Sequence, residues 1–111
     1  MRLKSGIKRG SAELAILTVL AREALHGYEI ARRIDHGSGG ELRFNLASLY
    51  PMLYSLERRR LIRGSWTDSP NGRRRRTYRI TPAGKKALAP LRQEWRAFFQ
   101  ALDRLTGVSH A

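Results

Sequence analysis

Leu14, Ala15, Ile16, Leu17, Val19, Leu20 and Ala21 would ring almost the whole circumference of a helix with apolar side chains. Such a helix is buried on more than one face, and in so small a chain part of its cover is expected from a second subunit. Ser11 or Gly10 supplies an N-cap, with Glu13 in the first turn, where the dipole favours an acid. Leu25, Tyr28, Ala31 and Ile34 predict a second helix with one apolar stripe, closed by Gly37-Ser-Gly-Gly40. Leu42 and Phe44 alternate with polar neighbours and predict a short strand or an extended connector. Asn45 then caps a third helix over about residues 46–59. Its inner face is Leu49, Met52, Leu53 and Leu56; its outer face is Ala47, Pro51, Tyr54 and Arg58. Pro51 has no amide proton to give the preceding turn, which predicts a bend or an irregular start.

After Arg60 the period changes. Residues 62–66 and 77–80 read as two strands, with Ser69-Pro-Asn-Gly72 as the turn between them. Arg73, Arg74, Arg75 and Arg76 sit at or just after that turn, so the hairpin is an arginine-rich wing. Thr81 caps a last helix with Pro82 at its first position, where a missing amide costs nothing. Along it Leu88, Leu91, Trp95, Phe98, Leu102 and Leu105 form an unbroken heptad seam, broadened by Phe99. Pro90 predicts a kink or a division near its start. Such a seam could fold back on its own domain, but it is expected to pair two subunits, because the other elements already share one core. The expected interface residues are Leu14, Leu17, Leu91, Trp95, Phe98, Phe99 and Leu102.

Composition narrows the function. The 111 residues carry 22 Lys and Arg against 9 Asp and Glu, a formal charge of +13. Residues 58–86 hold eleven of the basic groups against Asp68 alone. So local a concentration opposes folding by self-repulsion unless an anionic partner relieves it. Nucleic acid fits best, and an acidic membrane surface less well. An apolar content of 41% points to a globular domain rather than a basic tail. With no cysteine, disulfides, thiol nucleophiles and thiolate metal sites are excluded, which fits a reducing cytoplasm. The longest nearly apolar run falls well short of the ~20 residues that span a bilayer, and no long apolar segment follows the basic N-terminus as a secretory signal would. No carboxylate pair, Ser/His/Asp set or phosphate-cradling glycine loop is present, and three scattered histidines make no metal site. No catalytic residue, metal or cofactor is expected.

The order of elements is that of a winged helix-turn-helix: mainly α with a small β-hairpin wing, then a long C-terminal helix. Residues 1–81 would form the DNA-binding unit, and residues 82–111 a dimerisation helix packed on it. Five short stretches resemble the PadR family of transcriptional regulators: Leu25-His-Gly-Tyr-Glu-Ile30, Ser48-Leu-Tyr-Pro-Met-Leu53, Leu56-Glu-Arg-Arg59, Asn71-Gly-Arg-Arg-Arg75 and Tyr78-Arg-Ile-Thr-Pro-Ala-Gly84. Each is weak alone, but all five occur in family order and spacing. The single last helix resembles the short branch of that family. The resemblance implies a homodimeric repressor of double-stranded DNA that binds an inverted-repeat operator, often released by a small aromatic or hydrophobic effector. Asn45-Leu-Ala47 departs from the family where many relatives have an acid or proline and a glycine, and Pro90 is not usual in the last helix.

Ser48, Tyr50 and Tyr54 are the candidates for contact in the DNA groove, joined by Arg58. Tyr50 could instead be a core aromatic. At the wing, Gly72 allows close backbone approach beside Asn71. Arg73, Arg74 and Arg75, with Arg76, have guanidinium forks that match phosphate geometry. Strand alternation should aim about two of these four at DNA. Arg58, Arg59 and Arg60 would lie on three different helix faces. The resemblance implies that Tyr28 packs the second helix, with a phosphate contact as the alternative, and His26 is expected to be structural or capping. Trp95, Phe98 and Phe99 could line an effector pocket or simply form dimer core. The competing reading is a non-specific nucleic-acid or RNA-binding interaction protein, monomeric and indifferent to sequence.

Overall fold

A computed structural model describes residues 5–107. The elements run α1 (Ser5–Leu20), β1 (Leu25–His26), α2 (Gly27–Gly37), α3 (Leu46–Arg58), β2 (Ile62–Asp68), β3 (Arg74–Ile80) and α4 (Pro82–Thr106). The strands form one antiparallel sheet in the order β1-β3-β2. This is the winged helix-turn-helix the sequence predicts, mostly helical with a small sheet.

Two helix starts differ from the sequence reading. Helix α1 begins at Ser5, so Gly10 and Ser11 lie inside it and cap nothing. Gly10 serves a packing purpose instead: a Cβ there would come within 2.9 Å of the Trp95 ring. Leu25 belongs not to α2 but to the two-residue strand β1, which pairs Leu25 with Tyr78 and His26 with Thr77. The buried stripe of α2 is consequently Gly27, Ile30 and Ile34, while Tyr28 faces solvent. Residues 41–45, where a short strand was one expectation, form a connector.

The N-caps of α3 and α4 fall where the sequence puts them. The Asn45 side chain accepts from the Ser48 amide at 2.8 Å, and Thr81 Oγ1 accepts from the Gly84 amide at 3.0 Å. His26 caps α2 through Nδ1, which accepts from the Glu29 amide. Both interior prolines are passed without a break in the helix. Ala47 and Pro51 are exposed, as are Lys86 and Pro90, so both prolines sit on the solvent side of their helices.

One core, including Ile16, Leu17, Ile30, Leu49, Leu53, Leu56, Ile62 and Tyr78, lies where α1, α2, α3 and the sheet meet. Helix α1 is covered largely by its own chain, touching α2, α3, α4 and β3. Leu17 is 1% exposed and belongs to that core rather than to an interface, as expected of it above; Leu14 remains half-buried at its edge. Helix α4 leaves the core after Leu91. It stretches the molecule to 55 × 27 × 24 Å, with a radius of gyration of 15.3 Å against ~13 Å for a compact chain of this length.

Candidate nucleic-acid interface

Helix α3 is anchored by Leu49, Leu53 and Leu56, which leaves its opposite face to solvent. That face carries Ala47, Pro51, Tyr54 and Arg58, all exposed, with Ser48 and Tyr50 half-buried beside them. The Tyr50 ring leans back on the start of α2, where a Cβ on Gly27 would come within 2.8 Å of its hydroxyl. Gly27 is thus required by Tyr50, and Tyr50 is partly a packing residue. The Tyr54 ring stands next to it, centroids 6.4 Å apart.

The wing register sorts the arginines. Gly64 pairs with Tyr78, Trp66 with Arg76, and Asp68 with Arg74, which puts Trp66, Arg74 and Arg76 on one face. Arg75 pairs with Thr67 on the other face and reaches His26, with 3.1 Å between its Nη1 and the ring Nε2. The Arg74 and Arg76 guanidiniums lie 5.5 and 5.7 Å from the Trp66 ring. Trp66 is 57% exposed between them. Arg73 and Asn71 are exposed at the tip, and Gly72 turns the chain there with φ 80°.

Arg76 differs from its neighbours. Its Nη2 donates to Glu57 Oε2 at 2.6 Å, which ties the wing to α3. Its guanidinium also lies 5.9 Å from the Tyr78 ring. It crosses β2 at Gly64, where a Cβ would come within 2.7 Å of Nε. Of the four arginines it is the one built into the scaffold. Arg60, expected on a helix face, lies past the end of α3 with φ 61°.

Between α3, the α2 start and the wing runs an open groove of about 1220 Å³. Tyr28, Tyr50, Tyr54, Trp66, Arg58, Arg74 and Arg75 line it, along with Glu29 and Glu57. Both acids are paired. Glu29 accepts from Arg32 Nε at 2.5 and 2.9 Å, and that hydrogen bond holds its carboxyl below the ordinary carboxylate value. Glu57 is held by Arg76. The positive field of the groove therefore falls to Arg58, Arg74 and Arg75. Deeper in, Tyr78 is fully buried, its hydroxyl has no hydrogen-bond partner among the described residues, and burial raises its phenol above the ordinary value.

The structure thus gathers Tyr50, Tyr54, Arg58, Arg74 and Arg75 around one concavity, keeps Ser48 half-buried on α3 outside its lining, and leaves Asn71, Gly72 and Arg73 at the wing tip. The sequence reading missed Trp66, Glu57 and the scaffold role of Arg76. The signal for Trp66 was its place two residues after Gly64, opposite an arginine, legible only once the register is known. The expected interface residues Trp95, Phe98 and Phe99 form a ring cluster on α4, with centroids 5.6–5.9 Å apart, and none of them lines this groove.

An outward helix face beside a basic wing is the architecture of a duplex reader. Residues 16–90 match the model of the transcriptional regulator PadR-like family. The chain belongs to that family. PadR-like proteins are DNA-binding transcriptional regulators rather than enzymes, and this chain is one of them. An uncharacterized protein of Lysinibacillus sphaericus is 31% identical over 101 residues, 91% of this chain and 93% of the other. A transcriptional regulator from Clostridium thermocellum superposes with a TM-score of 0.82 at 26% identity, covering 93% of this chain and 97% of that one. A PadR-like transcriptional regulator from Bacillus cereus gives 0.76 at 26% identity, covering 92% and 97%. Among the described residues no helix is long and apolar enough to cross a membrane, and no three metal-ligating side chains cluster.

Proposed function

We propose that this PadR-like chain is a homodimeric repressor acting in the cytoplasm on an inverted-repeat operator. The observation that supports it best is the groove, whose acids are already paired, so that Arg58, Arg74 and Arg75 meet an incoming polyanion. In this reading the outward face of α3 enters the major groove, with Ser48, Tyr50 and Tyr54 at base edges or phosphates. Arg73, Arg74 and Arg75 hold the backbone beside it, and Asn71 and Gly72 bring the wing tip close. Residues 1–81 read the DNA and residues 82–111 join the subunits; the two outer ends of these units lie outside the described residues. Leu14, Leu91, Trp95, Phe98, Phe99 and Leu102 meet the partner. A small aromatic or hydrophobic effector seated among Trp95, Phe98 and Phe99 would respace the two α3 helices.

A footprint on the promoter upstream of the protein's own gene tests the reading. Two protected half-sites about one turn, ~34–36 Å, apart are expected. Uniform weak protection of every duplex offered, by a monomer, would instead identify a non-specific nucleic-acid binder.

A further inference from the structure

The wing tip holds an asparagine amide under conditions that favour its own hydrolysis. Asn71 precedes Gly72, both are exposed, and a glycine nitrogen attacks without hindrance from a side chain. The Asn71 Oδ1 is held by two donors, the Ser69 hydroxyl and the Arg73 amide, the latter at 3.3 Å. Four consecutive arginines begin two residues further on. We propose that Asn71 is a site of spontaneous deamidation, which slowly converts a neutral wing tip into an anionic one and loosens the protein from DNA.

In the first step the Gly72 nitrogen attacks Asn71 Cγ and forms the new C–N bond of a succinimide. The Cγ–Nδ2 bond breaks, and ammonia leaves with the proton that the Gly72 nitrogen gives up. Water then adds to either imide carbonyl, and the ring opens to aspartate or isoaspartate at position 71. One water is consumed, one ammonia is released, and no oxidant is needed. The Ser69 and Arg73 donors remain on the oxygen that becomes anionic during attack, as in an oxyanion hole. The nearby guanidiniums favour both that anion and the carboxylate product.

One contact restrains the reaction. The Gly72 amide donates to the Ser69 carbonyl at 3.0 Å, closing the turn. The nitrogen must leave this bond to reach Cγ, and exposed tips with few buried contacts open at low free-energy cost. The pace is therefore set by turn opening, which suits a slow change in charge.

The effect on DNA rests on the proposed function; the chemistry at Asn71 does not. The full chain is aged at mildly alkaline pH and physiological temperature and digested with trypsin, and the peptide spanning 64–73 is followed by mass spectrometry. Progressive conversion of the amide to the acid is expected, with isoaspartate resolved as a second product. Ser69→Ala should slow it, and Asn71→Gln should abolish it. A peptide that stays unchanged in the folded protein while the urea-unfolded chain converts would overturn the proposal. In a second arm, Asn71→Asp is titrated with the footprinted duplex. One phosphate contact's worth of salt dependence, a slope change of about 0.9, should be lost, or about tenfold in affinity at ~0.1 M salt. Wild-type affinity in that variant would overturn the loosening. If the wild-type protein binds no duplex, the proposed function falls and the loosening with it, while the mass data still decide the modification.

Discussion

Arg76 and its neighbours show how one residue type divides its labour. Arg74 and Arg75 stand exposed, whereas Arg76 is half-buried between Glu57, Trp66 and Tyr78. Replacing Arg74 or Arg75 with Ala should therefore flatten the log-affinity versus log-salt slope by up to ~0.9 each, with stability within about 0.5 kcal/mol of wild type. Arg76→Ala should do the reverse. It removes a half-exposed ion pair worth at most ~1 kcal/mol and a cation–π stack worth ~0.5–1 kcal/mol, and it changes the salt slope least. Urea denaturation and salt titration of the three variants would separate the roles; equal slopes would show that Arg76 meets phosphate too. Tyr78 gives a second residue-scale expectation. Its buried hydroxyl has no partner among the described residues, so Tyr78→Phe should not destabilise and should gain about 1 kcal/mol. Burial raises its folded pKa above 10.0. The unfolded chain then loses that proton first, and stability falls as pH rises past 10. The Phe variant, followed by denaturation between pH 8 and 11, should show a shallower alkaline decline.

At the scale of elements, the ends of α3 and α4 carry the testable strain and fit. Arg60 ends α3 in the left-handed region, and the Leu61 amide donates back to the Leu56 carbonyl at 3.0 Å. Glycine is the usual residue there, and an L side chain costs roughly 1–2 kcal/mol. Arg60→Gly should raise stability by about 1 kcal/mol in a denaturant melt. Gly84 is the opposite case, since a Cβ there would overlap the Leu61 carbonyl oxygen and crowd Ile80. Because backbone cannot swing aside, Gly84→Ala should cost about 1–3 kcal/mol and lower the melting temperature by at least ~4 °C. These elements also mark what the sequence could and could not tell. Asn45, Thr81 and the turn at Gly72 were legible because a cap or a turn is decided within four residues. Strand β1 was not, since its partners Thr77 and Tyr78 lie far along the chain and nothing local distinguishes Leu25 from the first residue of a helical stripe. The same long-range pairing hid Trp66 and the bond between Arg76 and Glu57. The arginine run itself was plain from composition, but its division into DNA-facing and scaffold members was not.

For the whole molecule the governing feature is α4, 25 residues and ~37 Å long, of which only the first turns pack on the core. Beyond Leu91 its seam leaves Phe98 44%, Phe99 51%, Leu102 40% and Leu105 84% exposed. Fully burying such a side chain is worth about 1.5–3 kcal/mol; about half of Phe98, Phe99 and Leu102 is already covered, but little of Leu105. Roughly 1 kcal/mol remains for each of Phe98, Phe99 and Leu102 and about 2 kcal/mol for Leu105, doubled by two-fold symmetry to on the order of 10 kcal/mol. Association costs ~4–15 kcal/mol in lost freedom and side-chain ordering. The seam alone therefore gives a marginal dimer, and a stable one needs further burial at half-buried Leu14, Leu91 and Trp95. A homodimer at micromolar concentration is expected by sedimentation equilibrium. The double variant Phe98→Ser with Leu102→Ser removes two of the four exposed seam side chains from both subunits, ~4 kcal/mol, and should weaken the dimer about a thousandfold. It should sediment as a monomer with its helical circular dichroism retained, because neither side chain belongs to the core. Such a monomer should also lose the paired half-site footprint while keeping salt-dependent binding to single sites, since its groove is untouched. If the wild-type chain sediments as a monomer, α4 serves another purpose and the two-fold reading of the operator goes with it.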